Sequence, residues 1–552
     1  MIAADMPAHS EFARRGLEAG ALLVLWLVAI GFFFAPELHH YYPGADDWGL
    51  LADSAPGLAD PWSWWTRGIS TWFQQDELRS TSPYIRPLFN AGYWITGHFA
   101  PWDSPARLWL SGAAVAFCAA AAFLALRAQG IPRAGAGLAA AALPLLPGYL
   151  PALVMLAPLL AFDPLCAGLV ALAVVPYLRR QYGWAALLLF AALLSKENAL
   201  PAAVAFPLHC FWERSRLPAG DAQRPAPWAA PVLLVPLSLW LALRLLCTEH
   251  PFVGDALLGT AGNGWLGRIG SFAQVWPFSG AGSLGGQHPP PHGRLLRALA
   301  ILADAGVLAG GAVLALRRLW RERRVELAEL GLFGSYAYLL LFGSTSRYGS
   351  LLLMFLLLAL AQWQREPGRL RWLGHAVLAA ALLGAAVSAR VGWSDWQFMR
   401  AQSGPYFELG RQYVAALRAL PADAPVILLN DPISCYSHPA AVARVAGLPL
   451  RLEKLSDFRG ELPGYGSSCT VQLQAAAQPR HYAFTQSCGL EQCNSFAPRD
   501  QPFAIELPDL VHAELRPAGA GHWQRLELEL RQPATLLYFD PATRRFESLR
   551  VP

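Results

Sequence analysis

The strongest constraint on this chain is a succession of apolar runs separated by short clusters of arginine. A run of roughly 20 apolar residues spans the hydrocarbon core of a bilayer, where an isolated segment satisfies its backbone only as a helix. Charged residues make up 15% of the 552 positions, against about 25% in soluble proteins. The chain therefore reads as an α-helical polytopic membrane protein. Its net charge of +5 is small for this length, and the basic residues fall between the apolar runs. That is the signature of cytoplasmic loops rather than of a nucleic-acid surface, so no nucleic-acid partner is expected.

Counting runs and orienting each by its basic flank predicts about eleven transmembrane helices. Arg14 and Arg15 precede the first apolar run, and no small-residue cleavage site follows it. The first helix, about 17–36, is thus expected to be a retained signal anchor leaving the cytoplasm. A first external loop of about 37–106 follows, with spans near about 107–127, 134–153 and 162–178. Trp184 to Trp212 reads as two arms of only about 11 to 15 residues, too short for ordinary spans. They meet at Ser195-Lys196-Glu197-Asn198, and such an irregular hairpin or broken helix survives at membrane depth only beside a cavity. Further spans near about 229–247, 296–316, 327–343, 349–363 and 372–390 complete the count. They enclose a long external loop of about 248–295, rich in Gly and Pro. The membrane domain is thus expected over about 1–391 and a C-terminal domain over about 392–552. Strand-like runs at Val426–Leu429, Leu526–Leu530 and Thr535–Phe539 make the latter a soluble mixed α/β or mostly β domain.

The counting places several ionisable groups on one side of the membrane. Tyr41-Tyr42-Pro43-Gly44-Ala45-Asp46-Asp47-Trp48 follows the first span directly. Two adjacent carboxylates at a membrane surface need a proton, a metal or a cation to relieve their repulsion. Asp163, Lys196, Glu197 and Arg347 fall on the same face, and ionisable groups at membrane depth default to a functional reading. The carboxylates can act as a general base or hold a divalent cation, Mg2+ or Mn2+. Arg347, beside Tyr348, suits a phosphate through its fork of donors, and Lys196 adds a point charge for a leaving phosphate.

Plainer readings stand beside these. Asp46-Asp47 suits a solvated loop, and Lys196-Glu197 an internal salt bridge at a hairpin tip. Asp163, before Pro164, suits a helix N-cap; Arg347-Tyr348 suits an interfacial anchor; Arg86-Pro87 suits a turn. His288 and His292 flank a triproline run that reads as a flexible loop before it reads as a metal site.

Of the eight cysteines, Cys118, Cys166, Cys210 and Cys247 lie in apolar runs and read as small buried hydrophobes. Cys435, Cys469, Cys488 and Cys493 lie in the polar C-terminal region, where an even set in an oxidising compartment implies disulfides. The expected pairing is Cys488 with Cys493 and Cys435 with Cys469.

The order of these elements resembles the polytopic GT-C glycosyltransferases, the group of protein O-mannosyltransferases and lipid A aminoarabinose transferases. The resemblance rests on Asp46-Asp47 in the first external loop, Arg86-Pro87-Leu88 within Tyr84–Leu88, Ser195-Lys196-Glu197-Asn198 at an outward tip, and Arg347-Tyr348 opening a later helix. It covers the membrane part, about 40–390. It implies a polyprenyl-phosphate sugar donor held in the membrane lipid, and transfer to a glycan, lipid or protein acceptor on the periplasmic face of a bacterial inner membrane. It also implies that Asp46 or Asp47 is the base or cation ligand, and that Lys196, Arg347 and Arg86 hold the lipid phosphate. Leu150–Val154 departs from the pattern by lacking an acidic residue, a role open to Asp163. Two other classes remain at this stage. A transporter or flippase would need charges near the midplane and inverted repeats. A non-catalytic envelope assembly protein would tolerate Asp46→Asn and Asp47→Asn.

Overall fold

The computed structural model describes residues 6–38, 87–88, 91–92, 100–146, 149, 161–247, 278, 294–342, 349–365, 371–432, 439–458, 469–491, 502–517 and 523–552. Helix α1 (Met6–Leu38) opens the chain. Leu17, Val24, Val28 and Phe32 point away from the protein, as suits a helix whose solvent is lipid. A 3-10 turn, Pro105–Leu108, starts from Ser104, whose hydroxyl accepts a hydrogen bond from the Ala106 amide. Helix α2 (Trp109–Ala128) follows. Being alanine-rich and apolar all round, α2 can be packed on every side. It contacts α1, α3 (Arg133–Ala142) and α4 (Phe162–Leu178). The approach of α4 is possible because Gly168 has no side chain; a Cβ there would sit 2.8 Å from the Phe117 ring and 3.0 Å from the Cα of Cys118.

The series continues with α5 (Tyr182–Ser195), α6 (Leu200–Arg216), α7 (Ala229–Cys247) and α8 (Arg294–Arg317). Then come α9 (Leu327–Phe342), α10 (Ser350–Trp363) and α11 (Arg371–Ala419). Among the described residues, five stretches are long and apolar enough to cross a membrane: Ala13–Phe32, Pro105–Ala128, Ala229–Leu246, Ala298–Glu322 and Arg371–Val391. This is consistent with a multi-pass membrane protein. Helices α4, α5 and α10 are apolar but shorter.

Two elements differ from the sequence expectation. Over the span expected near 134–153, the α-helix that ends at Ala142 tightens into a 3-10 turn, Leu143–Leu145, and 147–148 and 150–153 lie outside the described residues. Pro144 lies at the start of that turn and cannot donate to a preceding helical turn. At the other end, α11 runs 49 residues without interruption, a rod of roughly 73 Å. The domain boundary expected at 391 lies inside it, and Gly404 and Pro405 are both within the helix.

Beyond α11 the chain is mostly strand. A four-stranded sheet has the order β10-β9-β1-β2, from β1 (Val426–Leu428), β2 (Leu452–Lys454), β9 (Ala534–Asp540) and β10 (Arg545–Val551). Strand β1 runs parallel to β2 and β9, and β10 is antiparallel to β9. The short helix α12 (Pro439–Val445) makes the β1-to-β2 crossover. A second, antiparallel sheet has the order β3-β5-β8-β7-β6, with β4 added on β5. Its strands are β3 (Asp457–Phe458), β4 (Val471–Ala475), β5 (His481–Glu491), β6 (Phe503–Leu507), β7 (Val511–Pro517) and β8 (Trp523–Leu530).

Alternation in β1 explains the layering. Val426 and Leu428 join Tyr413, Val414 and Leu417 of α11 and Val442 of α12. Ile427 and Leu429 face the other way, joining Phe484, Ala513, Leu526 and Leu528 of the antiparallel sheet. The runs expected at Val426–Leu429, Leu526–Leu530 and Thr535–Phe539 correspond to β1, β8 and β9.

The expected disulfide pairing is corrected: Cys469 bonds to Cys488. The register of β4 on β5 places Val471 opposite Gln486 and Gln472 opposite Thr485. Carried two residues further, it sets Cys469 across from Cys488, with Cα atoms 5.2 Å apart. Strand pairing, not the expected bond of Cys488 with Cys493, sets the partner. Cys435 and Cys493 lie outside the described residues.

Candidate functional site

Of the residues predicted for catalysis and donor binding, Asp163, Lys196 and Glu197 lie among the described residues, and two of them meet. Asp163 is the second residue of α4, whose N-cap is Ala161. The Asp163 carboxylate is therefore not the helix cap that Pro164 suggested; it turns to another part of the chain. There α5 ends at Ser195, and Lys196 adopts an extended backbone, φ −162° and ψ 142°. A 3-10 turn, Glu197–Ala199, follows, and α6 begins at Leu200 with Pro201 in its first turn. The apolar stretch is thus a broken helix pair, as its short arms predicted.

At the break the side chains converge. Lys196 Nζ lies 2.6 Å from Asp163 Oδ2, and Asn198 Nδ2 donates to Asp163 Oδ1 at 3.1 Å. All three residues are buried, at 4%, 4% and 6% exposure. A lone ion in such a place costs several kcal/mol to desolvate, so the carboxylate, the ammonium and the amide stabilise one another as a unit. The backbone is also satisfied: the Lys196 amide donates to Ala192 O at 3.0 Å, and Lys196 O accepts from Ala199 N at 3.1 Å. Ser195 Oγ donates to Ala191 O at 2.9 Å, closing its own helical turn. Cys166, one turn along α4, faces Lys196 O at 3.9 Å. The Tyr149 hydroxyl donates to Ser350 O at 2.5 Å. Glu197 is half-buried at the start of the 3-10 turn.

Asp46, Asp47, Arg86, Arg347 and Tyr348 lie outside the described residues, as do His288 and His292. Among the described residues, no group of three or more His, Cys, Asp or Glu side chains could hold a metal ion. The expected Mg2+ or Mn2+ ligands, Asp46 and Asp47, are not among these residues.

Sequence reasoning missed a second buried ion pair. Arg318 falls in one of the basic clusters between apolar runs, yet its Nη1 lies 3.0 Å from Glu329 Oε1, with both side chains buried. Trp363 Nε1 donates to the same oxygen at 2.8 Å, and the Glu326 amide donates to Glu329 Oε2 at 3.2 Å. The Trp363 ring lies over Gly311, where a Cβ would come within 2.4 Å of it. An acid inside the apolar run of α9 was the signal available. The unit pins α8, α9 and α10 together.

A third polar group lies in the C-terminal domain. Asn430, fully buried, extends the ladder of β1 with its side chain: Nδ2 donates to Phe539 O at 2.9 Å and to Gln486 Oε1 at 2.7 Å, while Oδ1 accepts from Phe539 N at 2.8 Å. Next to it, Lys454 Nζ lies 3.6 Å from Asp431 Oδ2. Burial, and then the charge of Asp431, push the Tyr413 phenol well above its ordinary range. This group holds the two sheets and α11 in register.

No protein-family model matches the chain, and no curated protein matches it.

Proposed function

We propose that the protein is an integral-membrane glycosyltransferase of GT-C architecture with about eleven spans, as the apolar runs predict. It moves a sugar from a polyprenyl-phosphate donor to a lipid, glycan or protein acceptor on the periplasmic face of a bacterial inner membrane. The observation that carries this reading is the buried Asp163–Lys196–Asn198 unit at the break between α5 and α6. Irregular backbone of this kind at membrane depth is tolerated where it lines a protein-walled site, and ionisable groups there default to function. In this scheme Asp163 and Asn198 orient Lys196, whose charge faces the donor phosphate together with Arg347, Tyr348 and Arg86. Asp46 or Asp47 serves as base or holds Mg2+ or Mn2+, and Glu197 supports the turn.

The test is transfer from radiolabelled polyprenyl-phosphate sugars in membranes, comparing wild type with Asp46→Ala, Asp47→Ala and Lys196→Met. Loss of at least tenfold in kcat, the scale of one general base or electrostatic contact, is expected for one of the two aspartates and for Lys196. Unchanged turnover in all three overturns the assignment. A transporter or flippase is the second reading, favoured by Asp304, a carboxylate buried within an apolar span. The same assay separates the two, because a flippase leaves the label on its lipid.

A further inference from the structure

Phe278, in the connection between α7 and α8, is built into the helix bundle. The connection covers 248–293, and Phe278 within it is 3% exposed. Three residues on two helices are shaped around it. Gly384 of α11 receives the ring: a Cβ there would lie 2.3 Å from Cδ2 of Phe278 and 2.4 Å from its Cγ. Ser388, one turn along the same helix, donates its hydroxyl to Phe278 O at 3.4 Å. Asp304 of α8 accepts the Phe278 amide on Oδ1 at 3.2 Å. Asp304 and Ser388 are both 1% exposed.

The depth of this socket matters. Asp304 lies six residues beyond Ala298, where the apolar stretch of α8 begins, which is about 9 Å along a helix axis. Ser388 lies three residues before Val391, the end of the apolar stretch of α11, or about 4.5 Å. The two ends named are on one side of the bundle, since α8 and α11 run antiparallel under the span order proposed above. A loop residue with its amide and carbonyl both capped by side chains, at that depth, has its backbone satisfied where lipid and water would not serve. Ring, amide and carbonyl of Phe278 each have a dedicated partner.

We propose that Phe278 is a positioning residue. Seated between Gly384, Ser388 and Asp304, it tethers the connection to the outer end of α8 and α11, on the face where the donor phosphate is handled, and sugar transfer depends on that tether. This rests on the glycosyltransferase reading, and its test has one arm that does not.

The first arm is tryptic cleavage after Arg268, the one Lys or Arg in 248–293, in the detergent-solubilised full chain. Phe278→Ala empties the socket and Gly384→Leu fills it, and each is expected to speed cleavage by about tenfold, as release of local structure does. Rates unchanged from wild type in both overturn the tether. The second arm is the double variant Phe278→Ala with Gly384→Leu, in which leucine fills the space the ring has left. Its thermal midpoint should return to that of wild type, while kcat for transfer stays roughly tenfold to a hundredfold down, the scale of a misplaced reacting group, with little change in donor KM. Recovery of kcat along with packing would mean that Phe278 only fills space, and overturns the positioning role. A wild type that transfers no sugar removes the glycosyltransferase reading and the positioning role with it, while the cleavage rates still decide the tether.

Discussion

The ammonium of Lys196 sits 2.6 Å from the carboxylate of Asp163, 33 residues away in the chain, with both side chains about 5% exposed or less. The contact joins the break after α5 to the first turn of α4. Removing one partner strands the other charge inside the protein, which costs about 3–5 kcal/mol. Replacing both by apolar residues of similar size costs far less. Asp163→Ala and Lys196→Met are each expected to lower the thermal midpoint in detergent, and Asp163→Leu with Lys196→Met to recover most of the loss without recovering transfer. Additive losses in the double variant would mean that the two charges do not stabilise each other.

The Cys469–Cys488 bond makes a covalent prediction. It closes a loop of 19 residues, and a loop of that length is worth about 3 kcal/mol in the chain-entropy account. Non-reducing digestion of the full chain should give a peptide pair linking the two cysteines. Cys469→Ser should give the same fall in stability as the double serine variant. A linked pair of Cys488 with Cys493 would refute the register of β4 on β5.

The pH response of the antiparallel sheet is set by an exposed row of charges. Register places His481 opposite Glu529, Glu529 opposite His512 and Glu506 opposite His512. Glu506 meets His512 Nδ1 and lies 2.8 Å from Arg531. The hydrogen bond from His512, with the positive charge of Arg531, holds the Glu506 carboxyl below the ordinary glutamate range. A carboxyl lowered on folding stabilises the protein above its unfolded pKa, and the contribution is lost as pH falls through the folded value. Wild type should therefore exceed Glu506→Gln in urea resistance at neutral pH, and the difference should close as pH falls below the ordinary carboxylate range. A difference that widened on acidification would reverse the sign.

How much of this was legible beforehand depends on the range of the interaction. Apolar runs announce helices locally, so the membrane class, the break at Ser195–Asn198 and the strands at Val426, Leu526 and Thr535 could all be read from period and composition. Partners distant in the chain could not. Asp163 looked like a cap because Pro164 follows it, and only the packing of α4 beside α5 shows that it serves Lys196. Arg318 stands in sequence like any arginine between apolar runs, and only the packing of α9 shows Glu329 beside it. Phe278 carried no signal at all, since a socket made of one glycine, one serine and one aspartate on two helices has no pattern in sequence. Gly404-Pro405 gave a misleading one: the pair argues for a turn, yet α11 passes through it, held at its far end by Tyr413, Val414 and Leu417 against the four-stranded sheet.

That continuity leads to the final prediction. A single hydrophobic cluster contains Ile30 of α1, Leu108, Ala114 and Val115 at the start of α2, Ala161 and Phe162 at the start of α4, and Phe407 of α11. It extends without interruption to Val426, Leu428 and Leu537 of the four-stranded sheet. Phe162 precedes Asp163 directly, so the seam that seats the C-terminal domain borders the buried ion pair. Phe407 is 5% exposed, and truncating a buried phenylalanine to alanine costs about 3–5 kcal/mol. Phe407→Ala should therefore speed amide exchange both in the first turn of α4 and in α11, and under the proposed function should lower transfer although it touches no donor. Phe407→Leu, which keeps most of the apolar volume, should fall between it and wild type. Exchange that rises in α11 alone, with the first turn of α4 unmoved, would show that the seam seats the domain without bracing the site.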